Sequence, residues 1–322
     1  MTKLKKIILV VVLLIVIGIG VIFLKGVKSF SIISTSESLF SPARDERWDI
    51  LILGNRGDAA KSGGILTDSI MILSYKKETG EAALISIPRD LWVEIPNHGM
   101  QRINFAYPAG KQDNPPDGGL KLAREVVGKV SGLNIDFVVV VDVEALKEIV
   151  DTLGGIDIYE EKYFSGQFYN YYVTTYPGKN HLSGSEALAY AGSRRTDSDF
   201  ARMRRQQKVI LAIKDKVFSL GILARPDRIW SIFNSLEYHL KTDIPLSQIQ
   251  ELIQLASGLE IQNAEQVVFD TSNYLYSTHT TNGSYILLPK TGDFSEIQAK
   301  CQDIFEKTPS TENLQQEAGS QP

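Results

Sequence analysis

The segment Trp48-Asp49-Ile50-Leu51-Ile52-Leu53-Gly54 is the clearest indication of a central sheet in this chain. It is a short apolar run that ends at a glycine, which is the pattern of a buried β-strand. Phe137 to Val141 repeats the pattern further along the chain. Between these two runs, Ser69 to Tyr75 and Ala82 to Ile87 flank a Lys77-Glu78-Thr79-Gly80 turn, which predicts a hairpin.

Helical periodicity alternates with these strands. Leu120, Ala123, Val127 and Val130 recur at helical spacing before Gly132, and Phe200 to Leu220 places apolar residues on one helix face. Further helices are predicted at 143–153, 185–193, 226–240, 245–257 and 293–306. Two more strands are predicted at 266–269 and 284–288. The polar, tyrosine-rich residues 156–182 are interpreted as an excursion or flap. The alternation predicts an α/β fold with a mixed central sheet sandwiched by helices.

An uncharged apolar run precedes this domain, from Ile7 to Leu24. As a helix it would be roughly 27 Å long, close to the thickness of the hydrocarbon core of a bilayer. Lys3, Lys5 and Lys6 place the N-terminus in the cytoplasm by the positive-inside rule. The alternative is a cleaved signal peptide, but the run is long for one and no A-x-A-like site follows.

The sequence therefore predicts a single-pass protein of the cell membrane with an extracellular domain. Its predicted parts are a cytoplasmic stub at 1–6, a transmembrane helix at 7–25, a linker at 26–46, the domain at 47–307 and a disordered tail at 308–322.

Composition argues against several classes of function. The net charge is −4 and no long basic run occurs, so nucleic acid is not an expected partner. Cys301 is the only cysteine, which excludes an internal disulfide and a cysteine-rich metal site. The four histidines are scattered without an H-x-x-x-H pair, which argues against a zinc hydrolase.

Two loops at strand ends carry candidate site residues. The Gly-rich loop from Gly54 to Gly64 precedes Asp68, so it can hold a phosphate and a divalent cation, or it is a plain connection with Asp68 as a strand cap. Ser86-Ile87-Pro88-Arg89-Asp90 places an arginine beside a carboxylate, either to clamp a phosphate or as a local surface ion pair. The next polar–apolar segment, with Arg102 and Asn104, is a candidate lining of the same pocket.

A third cluster lies at the start of the long helix. Five arginines occur within the twelve residues from Arg194 to Arg205, beside the possible N-cap residues Asp197, Ser198 and Asp199. Arg202 and Gln206 are four residues apart and share a helix face. Arginines at a helix N-terminus predict an anionic ligand with more than one phosphate, and the alternative is a solvated basic face.

Together these segments resemble the LytR–CpsA–Psr family, in order and spacing over roughly residues 48–220. The matching motifs are L-T-D-S-I-M-I, S-I-P-R-D-L, R-I-N-F-A-Y, V-D-x-L-G-G-I and S-D-F-A-R-M-R-R-Q-Q. The resemblance implies an enzyme that transfers a glycopolymer from a polyprenyl pyrophosphate carrier to peptidoglycan, with Mg²⁺ (or Mn²⁺) assisting and an apolar pocket for the lipid tail. It thus implies three partners: the carrier-linked glycan, the peptidoglycan acceptor and the membrane.

The resemblance also assigns expected roles to residues. Asp68 matches a metal or base aspartate, Arg89 the arginine of the P-R-D motif, and Asp199 a metal-proximal aspartate. The expected catalytic residues are Asp68, Arg89 and Asp90, and the expected metal ligands are Asp68 and Asp199. The expected substrate-binding residues are Arg102, Asn104, Arg194, Arg202 and Gln206.

The chain departs from the family pattern at three positions. Leu66 and Gly192 stand where arginines are common, and Arg56 stands where an aspartate is usual, with Asp58 a possible replacement. These changes remove positive charge near the expected phosphates. Two other functions therefore stay open: a polyprenyl pyrophosphate hydrolase with water as the acceptor, and a non-catalytic lipid-binding or regulatory protein of the envelope.

Overall fold

A computed structural model describes residues 47–57, 65–194, 198–220, 239–245 and 264–306 of the chain. The predicted anchor, linker and tail lie outside the described residues, as do most of the two helices predicted at 226–240 and 245–257. Among the residues that are described, no helix is both long and apolar enough to cross a membrane.

The main sheet confirms the predicted mixed architecture. Within the described ranges it has six strands in the spatial order β11–β6–β1–β2–β3–β12, and β1 pairs parallel with β6 but antiparallel with β2. The strands are β1 (Arg47–Asn55), β2 (Ser69–Lys76), β3 (Ala82–Ser86), β6 (Phe137–Asp142), β11 (Leu240–Thr242) and β12 (Glu265–Val268).

Strand β1 is central because nearly all of its residues are buried, as a strand covered on both faces requires. Its one internal charge, Asp49, accepts hydrogen bonds from Ser74 Oγ at 2.5 Å and from Arg47 Nε at 2.9 Å. Partners of this kind make a buried carboxylate tolerable.

Helices cover both faces of this sheet. They are α1 (Ala106–Asp113), α2 (Gly118–Ser131), α3 (Val143–Thr152), α4 (Gly184–Gly192), α5 (Asp199–Ser219) and α6 (Ser295–Gln302). On one face, Leu120, Ala123 and Val127 of α2 pack in a core with Leu51 and Leu53 of β1. A second core joins α3, α4 and α5.

Helix α5 is tied to the sheet by a buried side chain. Gln207 Nε2 donates to Leu84 O, Ser86 Oγ and Val267 O, at 3.2, 2.9 and 3.0 Å. These bonds join α5 to β3 and β12, and so fix where the arginine-rich start of α5 lies.

The region 156–182, interpreted from the sequence as an excursion or flap, contains strands that were not predicted. This region forms four strands: β7 (Ile156–Glu160), β8 (Phe164–Phe168), β9 (Tyr171–Thr175) and β10 (Gly178–Leu182). Strand β7 pairs with β10, and β8 pairs with β9 in a hairpin.

Several short elements were not predicted. They are the hairpin of β4 (Trp92–Ile95) and β5 (Gly99–Arg102), the helix α1, and β13 (Leu275–His279), which pairs with β14 (Tyr285–Pro289). The end of the helix predicted at 226–240 is also wrong, because Leu240 begins β11. The predicted strands near 266 and 284 and the last helix are confirmed as β12, β14 and α6.

Candidate active site

Asp68 and Arg89 meet at one end of the main sheet. Asp68 precedes β2 and Arg89 follows β3, and these strands pair antiparallel with Met71 opposite Ser86. The pairing brings the two loops together, and Arg89 Nη1 donates to Asp68 Oδ1 at 2.5 Å.

The N-terminus of α5 adds two more arginines. Arg202 Nη2 donates to the backbone oxygen of Asp68 at 2.9 Å and to Asp199 Oδ2 at 3.1 Å. Arg194 Nε lies 3.4 Å from Asp199 Oδ1, and Arg89 Nε lies 3.9 Å from the same oxygen. Three predicted arginines therefore converge on two predicted carboxylates, and we call these five residues the arginine cluster.

Burial makes the arginine cluster electrostatically strong. Burial lowers the pKa of Arg202, as do the nearby charges of Arg89 and Arg194, while Asp199 and Asp68 oppose the shift. Burial also acts to lower the pKa of Arg89, but the carboxylates of Asp68, Asp199 and Asp90 outweigh it and raise that pKa. Both guanidinium groups stay charged, and a poorly hydrated cation attracts an anion strongly.

Three polar atoms of the arginine cluster have unmet hydrogen-bonding capacity. Arg89 Nε, Arg202 Nε and Asp199 Oδ1 are buried and have no hydrogen-bond partner. An unmade hydrogen bond of this kind costs about 1–3 kcal/mol. Asp199 Oδ1 still lies within ion-pair distance of Arg202 Nη2, at 3.0 Å, so the donors with spare capacity are the two Nε groups, which suit a ligand that carries anionic oxygens.

The other predicted site residues lie around this cluster. Asp90 connects to it, because its Oδ2 is 3.6 Å from Arg89 Nε and its Oδ1 is 3.3 Å from Arg102 Nε. Arg102 is held away by Tyr285, whose carbonyl accepts from its Nε and Nη2 at 3.1 and 2.7 Å. Asn104 is buried, and its carbonyl accepts from Thr67 just before Asp68, which supports the loop.

An apolar cavity opens beside the arginine cluster. Its volume is about 160 Å³. Its apolar wall comes from β1, β6, α3, α4 and α5, and includes Ile52, Val141, Leu146, Leu188, Val209, Ile210 and Ile213. Asp68, Arg202 and Gln206 also line it, so its charged end is the arginine cluster. Gln206 Oε1 accepts from Ser69 Oγ at 3.0 Å and its Nε2 donates to Ala191 O at 3.3 Å.

The structure explains why position 192 is a glycine. A Cβ atom on Gly192 would lie 2.4 Å from the ring of Phe168, at the tip of the β8–β9 hairpin. Both residues line the cavity. An aromatic ring therefore occupies the space that a side chain at 192 would need.

Arg56 is a further residue of the site. From the sequence it is predicted only as a departure from the family pattern, without a role in the site. Its Nε donates to Asp68 Oδ2 at 3.2 Å, and its side chain lines the cavity. Positive charge that Leu66 and Gly192 do not supply is thus provided from the end of β1. The pairing of Gly54 with Ser69 brings the two segments together, and no local sequence pattern indicates this register.

A second polar pair was also missed. Asp142 ends β6, lines the cavity and caps α3 by accepting from Ala145 N at 2.9 Å. Its other oxygen lies 2.7 Å from His239 Nδ1. The signal that could have found Asp142 is its place after a buried parallel strand, where ligands of α/β sheets commonly bind.

Two carboxylates are available for a divalent cation. No group of three or more metal-binding side chains occurs among the residues for which the structure gives positions. Mg²⁺ does not require one, because it is commonly held by one or two carboxylates together with water and substrate phosphates. Asp68 and Asp199 supply carboxylate oxygens of the type that Mg²⁺ prefers, but arginines contact both oxygens of each, so a cation that arrives with a phosphorylated ligand would have to displace some of these contacts.

Comparisons with known proteins agree with this fold. The chain is 33% identical to the regulatory protein MsrR of Staphylococcus aureus over 208 residues, which are 64% of this chain and 59% of MsrR. The chain thus aligns with less than two thirds of that relative. It is 29% identical to the polyisoprenyl-teichoic acid–peptidoglycan teichoic acid transferase TagU of Oceanobacillus iheyensis, over 73% of this chain and 72% of TagU.

A solved structure shows the same fold. The crystal structure of B. subtilis TagV superposes with a TM-score of 0.65 at 24% identity, and covers 83% of this chain and all of TagV. The model of the LytR_cpsA_psr family matches residues 25–303, which is most of the sequence. The chain therefore belongs to the LytR_cpsA_psr family.

Proposed function

We propose that this chain is a transferase that moves a glycopolymer from a polyprenyl pyrophosphate carrier to peptidoglycan. The observation that carries the proposal is the convergence of Arg89, Arg194 and Arg202 on Asp68 and Asp199 at the charged end of an apolar cavity. Family membership and the similarity to the teichoic acid transferase TagU support the same reaction.

The two halves of the site match the two halves of the carrier. The cavity provides apolar wall for a polyprenyl tail, and burial of such a tail is favourable in proportion to its area. The arginine cluster provides fixed positive charge for the pyrophosphate, with Arg89 Nε and Arg202 Nε free to donate. A lipid without phosphates, or a phosphate without a tail, would use only half of this site.

In the proposed reaction, an acceptor hydroxyl oxygen attacks the phosphorus that carries the glycan. The bond from that phosphorus to the oxygen of the polyprenyl phosphate breaks, and polyprenyl phosphate leaves with the bonding electrons. A carboxylate takes the hydroxyl proton. Asp68 is better placed for this than Asp90, because Asp68 lines the cavity. The arginines stabilise the charge that develops on the phosphate oxygens.

Mg²⁺ (or Mn²⁺) would be held by Asp68 and Asp199 together with phosphate oxygens of the substrate. When bound, it would neutralise negative charge on the pyrophosphate. The anchor predicted at 7–25 would hold the domain at the outer surface of the cell membrane, where the carrier and the wall are both within reach.

The test is transfer of a labelled glycopolymer from its polyprenyl pyrophosphate carrier to peptidoglycan by the full chain. Arg89→Ala and Arg202→Ala should each lower kcat by about 10²-fold or more, because each removes charge that the transition state needs. Lys179→Ala, which removes an exposed lysine on β10, is the matched control and should keep full activity.

Product analysis separates the other functions. Release of free glycopolymer phosphate at the same rate with and without peptidoglycan would identify a hydrolase. Tight binding of the carrier without turnover, with Mg²⁺ or Mn²⁺ present, would identify a non-catalytic binder. Full transfer by both arginine variants would show that the proposed site is wrong.

A further inference from the structure

The β8–β9 hairpin exposes a row of tyrosines on one face. Side chains of a strand alternate between its two faces, and Gln167 pairs with Tyr172 across the hairpin. The outward strand positions are Ser165, Gln167, Tyr172 and Thr174. We call these four residues, the flanking Tyr163 and Tyr176 and the turn residue Tyr169 the tyrosine face. The four tyrosines are 61%, 47%, 66% and 62% exposed in chain order.

The inward face of the same hairpin is packed and fixed. Gly166 lies against Ser193, whose Oγ accepts from Gln167 N at 3.1 Å, and Val173 is buried against α4. Phe168 packs on Gly192 and lines the cavity. The tyrosine face is therefore held rigidly by the structure that forms the cavity wall.

The tyrosine face is continuous with the cavity. Tyr169 packs edge-on against Phe168, with ring centroids 4.5 Å apart. Gln167 Nε2 donates to Tyr169 O and to Tyr172 Oη, at 3.0 and 2.9 Å, and the rings of Tyr163 and Tyr176 meet at the base of the hairpin. From base to tip the face is roughly 20 Å long, at about 3.4 Å per residue.

The chemistry of the face fits an uncharged sugar backbone. Tyrosine rings offer flat apolar surfaces for the C–H faces of sugars, and they lose little conformational entropy on binding. The side chains between the tyrosines are an amide and two hydroxyls, which match sugar hydroxyl and acetamido groups. None of the seven side chains is charged, so the face has no cation for a polyphosphate chain. A face that enters a bilayer interface would instead combine leucine, phenylalanine or tryptophan with basic residues, whereas the exposed charges beside this face, Glu161 and Lys162, are one of each sign.

We propose that the tyrosine face binds the glycan strand of the peptidoglycan acceptor and directs its hydroxyl toward the arginine cluster. The proposal rests on the proposed function, because an acceptor glycan is required only if the chain is a transferase. It assigns the tyrosine face as a binding site for β-1,4-linked N-acetylhexosamines.

The test measures binding of a soluble β-1,4-linked N-acetylglucosamine hexamer to the full chain in detergent, by calorimetry and without any donor. The double variant Tyr169→Ala/Tyr172→Ala should weaken binding by about tenfold or more, since exposed aromatic anchors carry much of such an interface. Tyr172→Phe keeps the ring and should weaken binding only a few-fold. Tyr276→Ala, at a tyrosine 45% exposed on β13, is the matched control and should bind like the unmodified chain.

Kinetics show whether this binding serves transfer. The double variant should raise KM for peptidoglycan and leave KM for the donor unchanged. A hexamer affinity that is unmeasurable in the unmodified chain, or equal in the double variant, would overturn the proposal. If the double variant keeps hexamer affinity while Arg89→Ala abolishes transfer, only the tyrosine face is wrong. If Arg89→Ala keeps transfer, the proposed function itself fails.

A membrane role for the same face gives a different result. In vesicles that contain brominated lipids, the fluorescence of a Tyr172→Trp variant should be quenched no more than that of the unmodified chain. Strong extra quenching would place the face in the bilayer interface and would also overturn the proposal.

Discussion

At the scale of single residues, Arg56 adds a positive charge at the cavity. It donates to Asp68 Oδ2 from the side opposite Arg89, so the carboxylate is held between two guanidinium groups. A hydrogen bond between charged groups contributes about 1.5–3 kcal/mol, and the side chain of Arg56 is exposed enough to reach a ligand. Arg56 therefore adds positive charge beside Asp68 at the lining of the cavity.

The first prediction concerns this side chain. Arg56→Ala should weaken binding of a polyprenyl pyrophosphate by roughly tenfold or more, since one charge-assisted contact is lost. Arg56→Lys should recover part of the affinity, because it restores the charge but not the planar fork. Equilibrium binding of a fluorescent short-chain polyprenyl pyrophosphate measures both. An affinity within twofold of the unmodified chain for Arg56→Ala would contradict the role.

A second prediction concerns Asp136, which follows the turn after α2. Burial, together with the nearby charge of Asp49, raises the pKa of Asp136 to about 6, although Asp49 N donates to its Oδ2 at 2.7 Å. The folded state therefore binds this proton more tightly than the unfolded chain. Its contribution to stability is full below about pH 4 and is lost as the pH rises through 6.

Asp136→Asn should therefore stabilise the domain at pH 7.5, by on the order of 1–2 kcal/mol, because an amide still accepts the bond without carrying a charge. The gain should shrink toward zero at pH 4. Urea unfolding of both chains at the two pH values gives the comparison. An equal gain in unfolding free energy at pH 7.5 and pH 4 would mean that the protonation of Asp136 does not cause the gain.

At the scale of elements, the hairpin β8–β9 and helix α4 depend on each other through Phe168 and Gly192. A Cβ at 192 would meet the Phe168 ring at 2.4 Å, which no real contact tolerates, so the hairpin must shift or the ring must turn. Overpacking of this kind typically costs about 1–3 kcal/mol.

The third prediction is a double-mutant cycle on this pair. Gly192→Ala should lower the free energy of unfolding by about 1–3 kcal/mol, and Phe168→Ala should open a gap in the cavity wall. The double variant should lose less unfolding free energy than the two single variants lose in sum, because removing the ring removes the clash. Strict additivity, measured by urea unfolding, would show that the two side chains do not compete for one space.

The same elements show where sequence reasoning succeeds and where it fails. Strands β1 and β6 were predictable, because strands buried on both faces read as unbroken apolar runs. Strands β8 and β9 were not, because Phe164 and Phe168 face inward while Tyr163 and Tyr169 face outward. Aromatic residues on both faces erase the alternation that identifies a half-buried strand.

The candidate site was predictable in kind but not in geometry. Arg89, Asp68 and Arg202 stood out in the sequence because of their residue types and their places at element ends. Their meeting depends on the β2–β3 register and on where Gln207 docks α5, neither of which any local pattern encodes. The role of Arg56 was not predictable for the same reason, because it depends on a hydrogen bond to Asp68, twelve residues further along the chain.

At the scale of the whole molecule, one sheet separates two cores, and the cavity belongs to only one of them. Residues of β1, β6, α3, α4 and α5 line it, whereas α2 packs on the other core. The cavity runs from the arginine cluster between packed helices. A ligand with an anionic head and an apolar tail should therefore bind along its length, and its tail should add affinity that its head alone does not provide.

The final prediction tests whether the apolar tail adds affinity to that of the anionic head. Farnesyl pyrophosphate should bind at least tenfold more tightly than inorganic pyrophosphate, because each buried methylene contributes about 0.8 kcal/mol and two suffice for roughly that factor. Ile210→Trp narrows the cavity and should remove most of this advantage while leaving the affinity for pyrophosphate unchanged. Ile210→Leu, similar in volume, should keep it. Thermal shifts at matched ligand concentrations give both affinities. If Ile210→Trp still binds farnesyl pyrophosphate at least tenfold more tightly than pyrophosphate, the tail does not lie in the cavity. The cavity and the arginine cluster would then not form one binding site.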